Sequence, residues 1–248
     1  MRKFLFLLLV PAIFACEEKD LTQDNPPNEK KNINIQTSFI LDTSGIRVDS
    51  IYTNNVGLEF FFTEVKVTFS NYVFTEQRDT IVHFPEPFMV SLERPERLIG
   101  ELPIGGYSGT YGLQLGMDST QSFGFTSSSA QDEVLKESTA FRDDNYGIDH
   151  VIIKGRVFDP TDPLDSVGKI PFEYRIGTYL LNQNRNSAIQ NFSVSSSSQI
   201  PFILQVDLWP MFAERDIVQV PMVASDPDNL FDMAEAQTLA DSLRINLF

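Results

Sequence analysis

The sequence predicts a mainly β protein, an antiparallel β-sandwich that ends in a short C-terminal helix. Short runs of alternating apolar and polar residues recur along the chain, and turn-forming residues separate them. No segment alternates a strand with a long helix, which disfavours a doubly wound α/β sheet. Near the C-terminus the apolar residues recur at helical spacing instead.

The clearest strand pattern lies in residues 31–40. Ile33, Ile35, Thr37 and Phe39 alternate there with polar residues, as expected of a strand with one buried face. Similar patterns predict further strands at 58–69, 79–84, 87–92, 107–115, 151–158, 172–179, 189–194 and 202–209.

Residues 119–147 interrupt this rhythm. They hold a run of serines and one short predicted helix at 132–140. Loops on a rigid sandwich commonly carry function, so we expect any recognition surface in this segment.

The C-terminal helix is predicted over residues 233–243. Asp232 and Glu235 have the spacing of a capping box at its start. Four apolar residues then form a stripe that would pack on the sandwich: Ala236, Leu239, Ala240 and Leu243.

The N-terminus has the layout of a lipoprotein signal peptide. Two cations precede an apolar run at 4–14, and Ala15 and Cys16 follow it. The run is shorter than the roughly 20 residues of a membrane-spanning helix. Residues 13–16 resemble a lipobox, so we predict a signal peptide over 1–15, a lipidated (palmitate-bearing) Cys16 and a disordered tether to residue 31. An ordinary signal peptide with a chance cysteine is the alternative.

Charge and cysteine content suggest a compartment. The net charge of −15 disfavours nucleic acid as a partner and contact with an anionic bilayer through the domain surface. Cys16 is the one cysteine, so its lipidation leaves no thiol for a disulfide.

We predict one domain over 32–248, anchored through its lipid to the outer membrane in a Gram-negative cell envelope. The acidic residues after Cys16 resemble surface-export signals in some groups and inner-membrane retention signals in others, so the leaflet stays open.

The sequence contains none of the common enzyme signatures. There is no G-x-S-x-G string, no phosphate-cradling loop and no Cys-His or Ser-His neighbour pair. We therefore expect a non-enzymatic protein. A pair of carboxyl groups about 5 to 10 Å apart in a cleft would favour a hydrolase instead.

Two groups of side chains are candidate metal ligands. His83 and His150 are the two histidines, and they lie far apart in the sequence. Asp159, Asp162 and Asp165 space out a proline-containing loop whose oxygens suit calcium, although the loop lacks EF-hand spacing and its bidentate Glu. We expect ordinary structural or surface roles for both groups and hence no cofactor, with copper or calcium as the alternative.

Several strings along the chain together point to a known family. They are YTNNVG at 52–57, VTFSN at 67–71, LPIGGY at 102–107, LGMDS at 115–119, IKG at 153–155, FEYRIG at 172–177 and ADSLRINLF at 240–248. In this order they resemble the MbnP-like family of methanobactin periplasmic-binding-protein-like lipoproteins. The resemblance covers nearly the whole chain after Cys16.

The resemblance implies a β-sandwich with copper held by histidines and an oxidised tryptophan, beside a dihaem peroxidase-like partner. Here Arg175 stands where the family string has His, and residues 39–42 lack the histidine of the first strand. Residues 141–146 lack the expected tryptophan, and Trp209 lies elsewhere. Arginine has no lone pair to offer copper.

We therefore expect an envelope-anchored binding or assembly module that has kept the sandwich and lost the copper site. Its expected partners are the membrane, through the lipid, and a dihaem peroxidase-like or other envelope protein. The alternative is a periplasmic or surface protein that binds copper or another metal through a rebuilt site.

Overall fold

The computed structural model describes residues 29–77, 79–122, 125–141, 147–178, 181–195, 200–226 and 229–248. Cys16 and the predicted signal peptide lie outside the described residues, as does 142–146. The strands are β1 (Lys30–Leu41), β2 (Ser44–Gly45), β3 (Tyr52–Thr53), β4 (Glu59–Glu76), β5 (Asp79–Phe84), β6 (Phe88–Ser91), β7 (Glu96–Pro103), β8 (Gly105–Leu115), β9 (Val151–Val157), β10 (Ile170–Ile176), β11 (Gln183–Asn186), β12 (Gln190–Val194), β13 (Ile200–Asp207), β14 (Met222–Ala224) and β15 (Arg244–Leu247). The helices are α1 (Ser119–Ser122), α2 (Glu133–Lys136), α3 (Trp209–Phe212) and α4 (Leu230–Ser242). Across the described ranges, none of the helices has the length and apolar character needed to span a bilayer.

The strands form two sheets that pack on each other. The smaller sheet has the order β15-β13-β1-β2, and β7 also pairs with β1. In the larger sheet β9 and β8 pair with successive halves of one edge of β4, and β3, β6 and β5 pair with its other edge. β11 and β12 pair with β8, β10 pairs with β9, and β14 pairs with β10. The predicted mainly β sandwich with a C-terminal helix is confirmed.

Two pairings differ from the antiparallel pattern. β1 runs parallel to β13 from Ile33↔Ile200 to Ile40↔Asp207, and β10 runs parallel to β14. Parallel neighbours need a long crossover connection. The connection from β1 to β13 contains most of the larger sheet, so the first and the last of the described strands both lie in the smaller one.

Strand periodicity predicted nine of the fifteen described strands, and β7 is the longest that it missed. In β1 the predicted apolar face is buried and the opposite face is more exposed. β5 spans the predicted residues 79–84, and β4 continues well beyond the predicted 58–69. In β7 the register shifts at Ile99, which has no partner between Leu98 and Gly100. Such a bulge breaks the alternation that a sequence pattern depends on.

The main core lies between the two sheets. Ile33 and Ile35 of β1 share it with Phe60 and Phe62 of β4. Phe212 of α3 packs on both of these rings, with centroid distances of 5.4 and 5.2 Å. Each such aromatic pair adds about 0.5–1.5 kcal/mol beyond its buried area.

A second, smaller core covers the opposite face of the larger sheet. Ile152 of β9 points away from the main core and packs with Met117, Leu135 and Ile148. The segment that interrupts the strand rhythm therefore folds back over the sheet. Its predicted helix is shorter than expected, limited to α2, and the Asp132 side chain accepts a hydrogen bond from the Leu135 N–H as its cap.

The C-terminal helix packs on the main core. Ala236, Leu239 and Ala240 of α4 are buried there, as the apolar stripe predicted. The helix begins at Leu230, so Asp232 lies in its first turn rather than at its cap. After the helix the chain adds β15 to the edge of β13, which the sequence did not predict.

Candidate functional site

Several family-like strings meet around His150. We call this region the His150 junction and define it as Thr68, Ser70, Gly116, His150 and Gly177. The Thr68 N–H donates to the His150 carbonyl (2.7 Å), and the Gly116 N–H donates to the Thr68 carbonyl (2.8 Å). The Ser70 hydroxyl donates to the Gly116 carbonyl (2.6 Å). Strands β4 and β8 and the start of β9 are thus joined at one point.

His150 is buried, with 1 % of its surface exposed. The Met117 N–H donates to its Nε2 (3.3 Å), and its own N–H donates to the Ile176 carbonyl (2.7 Å). The ring lies against Gly116, where an added Cβ would come within 2.1 Å of it. Gly116 also has a φ of 77°, so glycine is needed there both for space and for the backbone turn.

A network of amide side chains extends the junction toward β5. The Asn71 Nδ2 donates to the Gln114 Oε1 (2.7 Å), and the Gln121 Nε2 donates to the Pro85 carbonyl (2.9 Å). Asp118 accepts the Gln121 N–H (2.9 Å) and so begins α1. The Ser-Asn and Gly-x-Asp-Ser strings therefore have structural roles at this junction.

Arg175 and Asp149 form an ion pair beside the junction. The Arg175 Nε lies 2.8 Å and the Nη2 lies 2.6 Å from the Asp149 Oδ2. The Asp149 side chain is completely buried. Arg175 also donates to the Thr139 carbonyl and therefore ties β10 to the segment over the second core.

The same ion pair ends a row of charges across the larger sheet. Lys154 Nζ lies 3.0 Å from Glu64 and 3.7 Å from Glu173, and Arg175 lies 3.4 Å from Glu173. Lys66 pairs with Glu64 at the far end. Burial raises the pKa of Glu64, but hydrogen bonds from Lys66 and Lys154 outweigh it and hold that pKa below its usual value.

The two histidines do not come together. His83 is exposed on β5, where it pairs with Val73 of β4. His150 contacts β4 at Thr68, on the edge that β8 and β9 share, whereas β5 pairs with the opposite edge. Val73 and Thr68 are five residues apart on β4, which is at most about 17 Å at roughly 3.3 Å per residue. Among the described residues no group of three or more His, Cys, Asp or Glu side chains is placed to hold a metal.

The Asp159, Asp162 and Asp165 loop uses its carboxylates to fold itself. Asp165 accepts the N–H groups of Asp159 (2.9 Å), Lys169 (2.8 Å) and Val167 (3.1 Å). Desolvation raises the pKa of Asp165, but these backbone hydrogen bonds outweigh it and lower the pKa to about 2.

The other two carboxylates of this loop are also engaged. Asp159 accepts the Thr161 hydroxyl (2.6 Å), and Asp162 pairs with Lys169. Each of the three carboxylates therefore has a partner within the loop.

One group of residues was not predicted from the sequence. Arg97 of β7 lies 3.0 Å from the Asp132 carboxylate, and the two line a groove beside the second core. β7 was not predicted as a strand, and the two residues are distant in sequence. The sequence offered one signal for this group, because the helix prediction placed Asp132 at the start of a helix.

The sequence comparisons give no match. Neither a protein-family model nor a curated protein matches this chain. A solved structure does resemble it: MbnP from Methylosinus trichosporium. The two chains are 10 % identical, the match covers 80 % of this chain and 82 % of that chain, and the TM-score is 0.47.

The sequence strings described above resemble the family of the same name. At the positions where that resemblance leads us to expect copper ligands, the donor chemistry does not fit. Position 175 carries a guanidinium bound to Asp149, and β1 has Phe39, Ile40 and Leu41 where a histidine was expected. Trp209 begins α3 and packs against the main core.

Proposed function

We propose that this chain is a lipid-anchored, non-enzymatic binding or assembly module of the cell envelope, which keeps an MbnP-like sandwich without its copper site. The observation that carries this proposal is the Arg175–Asp149 ion pair, at the position where the family string has a histidine. The Asp149 carboxylate is completely buried and needs a charged partner, which Arg175 supplies. Position 175 thus has a structural role, and its guanidinium has no lone pair for a metal.

The positions of the histidines support the same proposal. His83 and His150 lie at opposite edges of β4, and the His150 Nε2 accepts a hydrogen bond from a backbone N–H. A metal site rebuilt from both would require β4 and its neighbours to rearrange. The alternative of a copper-binding protein therefore has less support than a binding module.

The anchor is proposed from the sequence. The apolar run and Cys16 have the layout of a lipoprotein signal, and acyl chains on this cysteine, at about 0.8 kcal/mol per buried CH₂, would hold the chain at the membrane. The ligand or partner is a glycan or another envelope protein, with a dihaem peroxidase-like protein as the candidate that the resemblance suggests.

Metal content tests the loss of the copper site. The purified full-length chain, stripped of metal, is incubated separately with copper and with calcium, desalted and analysed for bound metal. We expect neither ion to be retained in stoichiometric amount. Stoichiometric copper that disappears in His83→Ala or His150→Ala would overturn the proposal, and stoichiometric calcium that disappears in Asp162→Asn would assign the Asp loop as a calcium site.

Labelling with a palmitate analogue tests the anchor. In producing cells we expect the wild-type chain to be labelled and to sediment with membranes. Cys16→Ser should lose both properties, whereas Glu18→Gln, two residues away, should keep the label. Membrane association of Cys16→Ser equal to wild type would contradict the anchor.

A further inference from the structure

A groove runs between β7 and α2 on the side of the sandwich. It has a volume of about 680 Å³. Three other surface clefts of the described residues have volumes of 280–310 Å³. Phe84, Phe88 and Leu98 form its apolar floor. This size lies within the range of roughly 300–1,000 Å³ that is usual for sites that bind small ligands.

The polar wall of this groove is held rigidly. The Asp132 Oδ1 accepts the Met89 N–H (3.2 Å) and the Leu135 N–H (2.8 Å), so this carboxylate is fixed to both β6 and α2. Its Oδ2 lies 3.0 Å from the Arg97 Nε, which fixes the guanidinium in turn. A site whose polar groups are already positioned loses less entropy when a ligand binds.

Arg97 also has an N–H group without an acceptor. Its Nη2 is buried and has no hydrogen-bond partner within the described part of the chain. A buried donor without an acceptor is unfavourable, and a small shift of the guanidinium that opens Nη2 to the groove lets a ligand oxygen satisfy it.

The charges of the groove are balanced although the chain as a whole is acidic. Arg94 and Arg97 stand beside Asp132 and Glu133, whereas the net charge of the chain is −15. A charged ligand would be attracted by one pair and repelled by the other. A neutral ligand whose hydroxyl groups both donate and accept hydrogen bonds matches both pairs.

We propose that this groove binds a neutral oligosaccharide of two to four units. One face of a pyranose ring presents C–H groups, which suit the accessible side chains of Phe84 and Leu98. Phe88 is itself buried and supports the Phe84 ring edge to face at a centroid distance of 6.1 Å. The hydroxyl groups at the sugar's edge reach the Arg97 and Asp132 wall. The inference rests on the proposed function, because it names the ligand class of the binding module.

Saturation-transfer NMR tests this proposal with the purified full-length chain and a panel of oligosaccharides. The panel contains neutral gluco-, galacto-, manno- and xylo-oligosaccharides together with uronic-acid oligosaccharides of equal length. We expect at least one neutral member to bind. Leu98→Ala and Gln131→Ala should each weaken that binding by about fivefold, the effect of one lost contact of roughly 1 kcal/mol.

Ile203→Ala is the matched control. Ile203 is an exposed aliphatic residue of the same sheet (44 % exposed, against 56 % for Leu98) but lies outside the groove. It should leave binding unchanged, and all three variants should keep the wild-type circular dichroism spectrum.

Three outcomes would overturn the proposal: no member of the panel binds, uronic-acid members alone bind, or binding persists unchanged in both groove variants. If the chain carries its lipid and retains no copper but binds no sugar, this inference is wrong and the proposed function stands. If the chain retains copper and also binds a neutral sugar, the proposed loss of the copper site is wrong and the groove still binds its ligand.

Discussion

Arg175 of β10 binds the buried carboxylate of Asp149 through two nitrogens: Nε lies 2.8 Å and Nη2 lies 2.6 Å from the Asp149 Oδ2. The pair joins the larger sheet to the segment that covers its outer face, and it stands where the family resemblance places a histidine. The pair is therefore a structural clamp at position 175, and its guanidinium has no lone pair for a metal.

Removing this clamp should destabilise the protein strongly. We expect Arg175→Met, which keeps the apolar stem, to lower the free energy of unfolding by about 3 kcal/mol, because it removes a charged partner of the completely buried Asp149 carboxylate. Chemical denaturation of the purified chain measures this. Arg94→Met is the control: Arg94 and Glu137 form an exposed pair 3.8 Å apart, and its loss should cost less than about 1 kcal/mol. Equal losses in both variants would contradict the role of the buried pair.

Gly116 should be intolerant of a side chain. Gly116→Ala places a methyl group 2.1 Å from the His150 ring at a φ of 77°, so we expect a loss of about 2–5 kcal/mol from clash and backbone strain together. Gly57→Ala separates the two causes. Gly57 has a φ of 84° with nothing within 4 Å of an added Cβ, so its loss should be about 1–2 kcal/mol. If the two variants melted at the same temperature, the contact with His150 would not matter.

Buried tyrosine hydroxyls without partners should be dispensable. The Tyr72 Oη is buried and has no hydrogen-bond partner among the described residues, and burial raises its pKa well above the usual value. Tyr72→Phe removes an unsatisfied group, so we expect the free energy of unfolding to stay equal or rise by about 1 kcal/mol. Tyr174→Phe is the control, because the Tyr174 Oη donates to the Val220 carbonyl (3.0 Å) and its removal should destabilise. A clear loss of stability in Tyr72→Phe would reveal a partner for that hydroxyl.

Acid should loosen the Asp165 loop within a defined pH range. The pKa of Asp165 is about 2 in the folded chain, below the roughly 3.9 of an unfolded aspartate. Its contribution to stability is therefore complete above about pH 4 and is lost as the pH falls toward 2. Asp165→Asn should reduce the drop in melting temperature over that range, whereas Val167→Ala, an exposed neighbour, should melt with the wild-type pH dependence. An unchanged drop in Asp165→Asn would show that other carboxyl groups govern it.

The local pattern of the sequence was enough to predict most strands and the helical stripe. β5 has the predicted ends, β1 buries its predicted face, and Ala236 and Leu239 of α4 are buried as their spacing indicated. These features depend on a residue and its near neighbours, because a period of two or of 3.6 assigns each side chain to a face.

Only the tertiary structure decided which segments meet. Periodicity does not name a partner strand, so the parallel pairing of β1 with β13 had no local signal. The same holds for the separation of His83 from His150, the Arg175–Asp149 clamp and the Arg97–Asp132 wall of the groove. Each of these is a contact between residues distant in the chain. Such contacts form where the two sheets and the covering segment bury their apolar faces together, and that packing is a property of the whole fold.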